Sequence, residues 1–341
     1  MRRLVLSAVS AVAITLPGCG GGGGSSPAPP VSVTPTPTPA PSAAPTATPT
    51  PASLNTGEVK PAPGATFISA TMELDTSGGY SQTNGIITGG ATSGRTVILD
   101  TPQFTGTYDA GYRLSDAVNT ATFGSAQVSL DSTSINGNGI VLFTSASNVA
   151  ADYLALYQAT TYTSSVKGMG YTAARYGGAG GWQHTVGNGA NAHTRLDYFA
   201  YGSATPASAM PKSGVVHFTI LRSGNYATDT DLWFLPSGSS EILTVDFGAG
   251  TVAGTISISG ENFFKNEVGG VGSFPVNASI NGNVAIGSFS NAPIGPSANV
   301  PGQFRILFVG PNANELVITF VAMNASRAAV GAGVGVVDPF R

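Results

Sequence analysis

The clearest order in the chain lies in its second half, where apolar and polar positions alternate with period two. In LTVDF, Leu243, Val245 and Phe247 fall on one face and Thr244 and Asp246 on the other. After Gly248-Ala249-Gly250 the pattern resumes, with Ile256 and Ile258 set against Thr255, Ser257 and Ser259. Successive side chains of a strand point to opposite faces, so two such runs joined by a glycine-rich turn predict an antiparallel hairpin. A second hairpin is predicted for VNASINGNVAIGSF, with Asn281-Gly282 supplying the positive φ values of a type I′ turn between residues 276–280 and 283–289. FRILFVG and ELVITFVAM are apolar on both faces, which predicts strands covered on both sides. Residues 148–159, NVAADYLALYQA, fit a short helix or equally a strand with Tyr153, Ala155 and Tyr157 on one side. Elsewhere Pro, Gly and β-branched residues interrupt every helical period. The reading is an all-β protein.

The first fifty residues follow a different pattern. Arg2 and Arg3 precede an apolar run over residues 4–16, too short for the roughly 20 residues a membrane-spanning helix needs, so residues 1–18 read as a secretory signal. The only cysteine of the chain comes next. Leu16-Pro17-Gly18-Cys19 resembles the lipobox of bacterial lipoproteins, although Pro17 stands where Ser or Ala is usual; the resemblance implies acylation at Cys19 and a membrane anchor. Gly20, where Asp would mark inner-membrane retention, favours an outer-membrane address. Ten prolines fall among the 28 residues 25–52, and no charge occurs between Arg3 and Glu58. Such a segment buries too little apolar surface to fold, so residues 19–53 read as an anchor and a disordered, extended tether.

Charge and candidate chemistry narrow the function of the 288 residues that remain. Charged residues make up 9% of the chain and the net charge is −3, so neither a nucleic-acid footprint nor a polybasic membrane patch is present. His184, His193 and His217 lack metal-ligand spacing. Asp229 and Asp231 form an isolated Asp-x-Asp pair without the further ligands of a calcium loop. Gly-x-Ser-x-Gly is absent, and GAGTVAG and GAGVG read as hairpin turns rather than phosphate loops. No catalytic residue, metal ligand or cofactor is predicted. What remains is RYGGAGGWQHTVGNGANAH, residues 175–193, where Tyr176, Trp182 and His184 stand in a glycine-rich stretch without apolar periodicity. It reads as a recognition loop, with Tyr176, Trp182 and His184 as candidate ligand-binding residues, or as a linker between two subdomains.

Three blocks carry a family resemblance: DYFAYGSATPASAMPKSGVVHFTI from Asp197, TVDFGAGTVAGTISI from Thr244, and GQFRILFVGPNANELVITFVA from Gly302. In this order they resemble the C-terminal β-barrel of the transferrin-binding-protein-B-like surface lipoproteins of Gram-negative bacteria. The Gly-Pro-x-Ala-x-Glu-Leu element at residues 310–316 is the most specific piece. The family's Tyr-x-Gly is Phe218-Thr219-Ile220 here, and the chain has room for one lobe. The resemblance implies an antiparallel barrel of about eight strands over residues 196–341, preceded by an irregular β-rich handle over residues 54–195. It further implies a lipid-anchored outer-membrane binding module that captures a protein or nutrient carrier, with an outer-membrane receptor as a further partner. A structural or adhesive envelope lipoprotein, and an enzyme with an unrecognised site, are the alternatives left open.

Overall fold

The computed structural model describes residues 59–77, 82–83, 86–87, 90–109, 111–124, 128–131, 140–146, 150–157, 162–163, 170–171, 174–188, 191–235, 241–262, 265, 267–295 and 299–338. Cys19 and the proline-rich segment 25–52 lie outside the described residues. All of the described residues belong to one contact unit, Ser53–Arg341.

Besides two short ladders of two-residue strands (Gln82–Thr83 with Ile86–Ile87, Tyr162–Thr163 with Gly170–Tyr171), ten longer strands precede residue 203 among the described residues: β1 (Thr66–Ser77), β2 (Ala91–Leu99), β3 (Thr105–Tyr108), β4 (Gly111–Ser115), β5 (Thr120–Gly124), β6 (Val128–Asp131), β7 (Ile140–Ala146), β8 (Ala150–Tyr157), β9 (Gly177–Asn188) and β10 (Asn191–Gly202). Seven of them form an antiparallel sheet in the order β2-β1-β10-β9-β8-β7-β6, and β3, β4 and β5 form a separate meander. The ambiguous YLALY is therefore a strand, in β8. The glycine-rich run 175–193 is not a loop: β9 and β10 pair in register from Gly177↔Gly202 to Asn188↔Asn191. The glycines serve packing. A Cβ on Gly180 would stand 2.9 Å from the Phe199 ring and one on Gly181 2.9 Å from the Tyr198 ring, so the bare backbone of β9 admits the aromatic side chains of β10. Those missing side chains also erase the apolar alternation that would have marked the strand.

Both faces of this sheet are covered. Met72 and Leu74 of β1, with Leu196 and Tyr198 of β10, pack on one side; Leu154, Leu156, Trp182, Phe199 and Tyr201 pack on the other against Tyr112, Leu114 and Phe123 of the meander. Beside the aromatic cluster sits a buried ionic one. Arg195 Nε lies 3.1 Å from Asp197 Oδ2, to which it donates, and 2.7 Å from Asp116 Oδ2, while Nη1 pairs with Glu73. Thr71 donates to the other oxygen of Asp197 and is itself joined to Thr101. Three carboxylates thus share one guanidinium. Burial pushes the Asp197 carboxyl up to about 6 although Arg195 and the Thr71 hydroxyl favour its ionised form.

The chain then crosses to a second sheet between Gly202 and Val215. Its strands are β11 (Val215–Thr228), β12 (Leu232–Leu235), β13 (Glu241–Asp246), β14 (Thr251–Asn262), β15 (Glu267–Asn281), β16 (Val284–Pro293), β17 (Asn299–Val309), β18 (Glu315–Asn324) and β19 (Arg327–Val337). Neighbours pair antiparallel from β13 to β19, and β11 closes the ring by pairing β13 through its first half and β19 through residues 218–228. β12 pairs the last part of β11, so the ring has eight members. The expected all-β barrel of about eight strands is the fold observed.

Its interior follows from the alternation. Leu243, Val245, Val252, Ile256, Ile258, Phe274 and Val276 point inward, whereas Thr251, Thr255, Ser257, Asn277 and Ser279 are exposed. Apolar inside and polar outside is the reverse of a barrel bathed in lipid. Strands with two apolar faces have a matching cause: Phe304, Ile306 and Phe308 fill the barrel, while Leu307 and Val309 on the other side pack against the seven-stranded sheet. GAGVG is not a turn, because Gly331, Gly333 and Gly335 lie within β19. A Cβ at Gly331 would stand 2.5 Å from the Phe320 ring, one at Gly333 2.9 Å from Arg222 Cβ and one at Gly335 2.4 Å from Ile220, so the glycines make room for large inward neighbours. One charged pair lies among these apolar groups. Arg222 Nη2 donates to Glu241 Oε1 at 2.8 Å, and burial pushes the guanidinium pKa down.

The hairpin around residue 282 forms with its turn one residue later than predicted. Asn281 pairs with Val284, leaving Gly282-Asn283 as the two central residues. Only Gly282 has positive φ, at 64°, which matches the first position of a type II′ turn rather than a type I′ turn.

The Gly-Pro-x-Ala-x-Glu-Leu element clasps the two sheets together. Gly310 has φ 80°, Pro311–Ala313 make a 3-10 turn, and Glu315 opens β18. The Glu315 carboxylate accepts the backbone N–H groups of Arg175, Tyr176 and Gly177 at 2.7, 2.9 and 2.9 Å, at the start of β9. Burial raises its pKa even so, against those three donors. On the linker, Thr205 Oγ1 donates to the Gly310 carbonyl at 2.6 Å, and Met210 enters the barrel core with Phe247 and Ala313. This end of the barrel is filled by the chain itself.

Candidate functional site at the barrel mouth

The other end of the barrel is where inward-facing side chains change character. Along β11 the inward positions run Phe218, Ile220, Arg222, Gly224, Tyr226 and Thr228, so the last two reach the rim. Tyr226 pairs with Trp233 of β12, and Thr228 with Arg327 of β19, and paired residues share a face. Tyr226, Trp233 and Arg327 therefore surround the same opening. With Val271 of β15 and Gly295 beyond β16 they line a cavity of about 460 Å³. Gly295 has φ 80°, and a Cβ there would stand 2.6 Å from the Tyr226 hydroxyl and 3.1 Å from the Arg327 guanidinium carbon, so the glycine keeps both polar groups uncovered.

The electrostatics of this mouth are uneven. Asp231 lies 2.7 Å from Lys265 Nζ and accepts from Asn262 Nδ2 at 3.0 Å. Burial alone would raise the Asp231 carboxyl, but Lys265, Thr230 and Asn262 together hold its pKa below the ordinary value. Asp229 is paired with Arg95, whose strand β2 is tied to the same turn where Thr92 Oγ1 donates to the Thr228 carbonyl at 2.6 Å. Both acids of the cavity wall are thus matched. Arg327 has neither a hydrogen-bond nor an ion-pair partner among the described residues, and the same holds for the Tyr226 hydroxyl and the Trp233 indole N–H. Tyr226 is only 4% exposed, and burial raises its pKa despite the nearby Arg327 and Arg95 cations. It stays a neutral phenol and a hydrogen-bond donor at ordinary pH.

The residues singled out from the sequence are placed elsewhere. Trp182 is 1% exposed in β9, within the aromatic layer under the meander, and its indole donates to Asp152 Oδ1 at 2.9 Å. His184 Nδ1 lies 2.8 Å from the same oxygen, and that hydrogen bond, against the cost of burial, raises the imidazole pKa. Trp182 and His184 are therefore brought together, by one carboxylate, in a packed layer rather than on an open loop. Tyr176 is half-buried at the clasp, its ring against Gly310. His193 meets Asp75 and His217 meets Thr244, so the three histidines have separate partners. Among the described residues no group of three or more His, Cys, Asp or Glu could hold a metal ion. The mouth residues Tyr226 and Trp233 flank the very Asp-x-Asp pair that drew attention in the sequence, but their shared face becomes visible only once β11 and β12 are paired.

No family model matches the chain, and no curated protein does. Among solved structures it is similar to intact TbpB with its N and C lobes (21% identity, TM-score 0.35), covering 80% of this chain and 46% of that one. It is similar also to the haemoglobin receptor HpuA from Kingella denitrificans (13%, TM-score 0.40; 82% and 90% covered). A third is the isotype 1 transferrin-binding protein B from serogroup B Neisseria meningitidis (11%, TM-score 0.36; 83% and 78% covered). The chain thus spans about half the length of the intact two-lobe protein. These neighbours are transferrin- and haemoglobin-binding proteins; the fold described above rests on this chain's own strand order.

Proposed function

We propose that the chain is a lipid-anchored binding module of the outer-membrane surface, held by acylated Cys19 and the tether 19–53, whose ligand docks at the barrel mouth. The observation that carries the reading is the set of three donors, Tyr226, Trp233 and Arg327, without a partner among the described residues around one cavity on a rigid frame. The opposite end of the barrel is occupied by Met210 and Phe247, and one flank is clasped to the seven-stranded sheet; a second hollow of about 510 Å³ lies on the outer wall between Leu99, Phe289 and Met323 and has no such set of donors among the described residues. Ligand sites combine a mostly apolar wall with a few placed polar groups, and Trp, Tyr and Arg are the residues that supply most contact energy at binding surfaces. HpuA has been crystallised with human haemoglobin; an extracellular protein or a nutrient carrier is the corresponding ligand class here, with an outer-membrane receptor as a further partner.

The test is capture. Full chain immobilised on beads is exposed to the organism's natural medium, and wild type is compared with Trp233→Ala. The variant is expected to retain the thermal midpoint of the wild type within a few degrees and to capture its ligand at least about tenfold more weakly. Undiminished capture by Trp233→Ala removes the mouth from the proposal.

A further inference from the structure

The identity of the unpartnered groups narrows what the mouth can take. A buried or half-buried donor without an acceptor costs free energy, and among the described residues the mouth concentrates three on one cavity while each of its acids is paired with a cation. The three are a guanidinium, a phenol hydroxyl and an indole N–H. A ligand that completes them must bring acceptors and no competing cation. A guanidinium matches the two oxygens of a carboxylate in a planar fork, which a hydroxyl or an amide does not reproduce.

Thr228, Thr230, Ser326 and the two paired acids complete the polar part of the wall, and Val271, the Trp233 ring and the bare backbone of Gly270 and Gly295 form its apolar part. At about 460 Å³ the cavity is within the range of pockets that enclose an organic molecule, and much larger than a lone inorganic ion needs. The two cations paired with the acids of the wall are already engaged. Arg95 is committed to Asp229 and the Thr92 carbonyl, and Lys265 to Asp231. Among the residues that line the cavity, Arg327 is the one cation that can meet an incoming charge.

We infer that the barrel mouth is a site for an organic carboxylate with an apolar body, its carboxylate on Arg327 and the Tyr226 hydroxyl and its apolar part against Trp233 and Val271. The inference rests on the mouth being the binding site and names the ligand chemistry of that site. The carboxylate belongs either to a small acid or to an acidic group displayed by a captured macromolecule, and the two sources differ in whether a free acid competes with capture.

The experiment uses 1-naphthoate and its primary amide, 1-naphthamide, as probes of equal shape, titrated calorimetrically into full chain. Saturable binding of the acid is expected, at least about tenfold tighter than the amide. Arg327→Gln should abolish that preference, Arg327→Lys should retain part of it, and Arg113→Gln, on the exposed side of the meander, should leave it unchanged. Excess naphthoate should also displace captured ligand if that ligand docks through its own carboxylate. Equal binding of acid and amide, or an unaltered preference in Arg327→Gln, overturns the carboxylate assignment and leaves the mouth as a binding site. If neither probe binds and Trp233→Ala captures as the wild type does, the mouth itself is not the site.

Discussion

The barrel interior and the layer between the seven-stranded sheet and its meander are two buried regions filled by opposite means. In the barrel, Phe218, Phe274, Phe304, Phe308 and Phe320 interdigitate with aliphatic side chains, and glycines at every second position of β19 accommodate them. In the layer, an aromatic cluster stands beside Arg195, Asp197, Asp116, Glu73 and two threonines. Apart from the Arg222–Glu241 pair, the first filling is non-directional and nearly indifferent to pH. The second depends on one guanidinium compensating several acids in a place where charge is expensive. The difference teaches that equal burial does not mean equal dependence on conditions, and it separates experimentally.

The largest expected effect is in the barrel. Phe320 is fully buried, its ring centroid is 4.9 Å from that of Phe274, and its edge occupies the space that Gly331 leaves. Phe320→Ala should cost about 3–5 kcal/mol in denaturant melts, by the same amount at pH 5 and pH 7.5. A loss below about 1 kcal/mol would mean that the barrel core collapses around the cavity and is looser than its packing indicates.

Arg195→Met should cost nearly as much at pH 7.5, about 3 kcal/mol, because it leaves Asp197 and Asp116 buried without their cation. Here pH changes the result. Asp197 titrates at about 6 when folded, above its ordinary 3.8, so the stability linked to its protonation is fully present below the lower value and lost as pH rises through the higher one. Removing the guanidinium that favours ionisation pushes the folded value further up. The variant should therefore recover relative to wild type between pH 7.5 and pH 5, at up to about 1.4 kcal/mol per pH unit. A cost as flat with pH as that of Phe320→Ala would show that the carboxylates do not share the charge as the geometry implies.

The same contrast explains what was legible in the sequence. Period-two alternation is a local signal, so the barrel strands from Leu243 onward could be read directly, as could their inward residues. The β9 strand was hidden because six of its neighbouring positions in residues 175–193 are glycines, whose packing partners Tyr198 and Phe199 lie a turn away in β10. The ionic cluster left no signal at all: Glu73, Asp116, Arg195 and Asp197 are scattered over more than a hundred residues, and each alone resembles a solvated side chain. Trp182 carried the composition of a recognition residue, but composition does not distinguish an indole hydrogen-bonded to Asp152 in a packed layer from one open to a partner. Tyr226, Trp233 and Arg327 belong to three strands, and only barrel closure through β11 and β19 puts them around one opening.

The smallest expected effect concerns the turn at residue 282, where local signal and tertiary pairing differ by one residue. Read locally, Asn281 and Gly282 are both central and both need positive φ. In the barrel, Asn281 is the last paired residue of β15, and only Gly282 sits at φ 64°. A Cβ on Gly282 meets nothing nearer than the Ala207 Cβ at 3.9 Å, so Gly282→Val incurs backbone strain without a clash, about 1–3 kcal/mol. Asn283 anchors the register from the other side, its Nδ2 donating to the Thr205 carbonyl at 2.7 Å. Asn281→Val is the discriminating partner. An exposed, paired strand position suits a β-branched residue, so this variant should lie within about 0.5 kcal/mol of wild type. Comparable losses from both substitutions would place Asn281 in the turn after all and return the hairpin to the register read from its sequence.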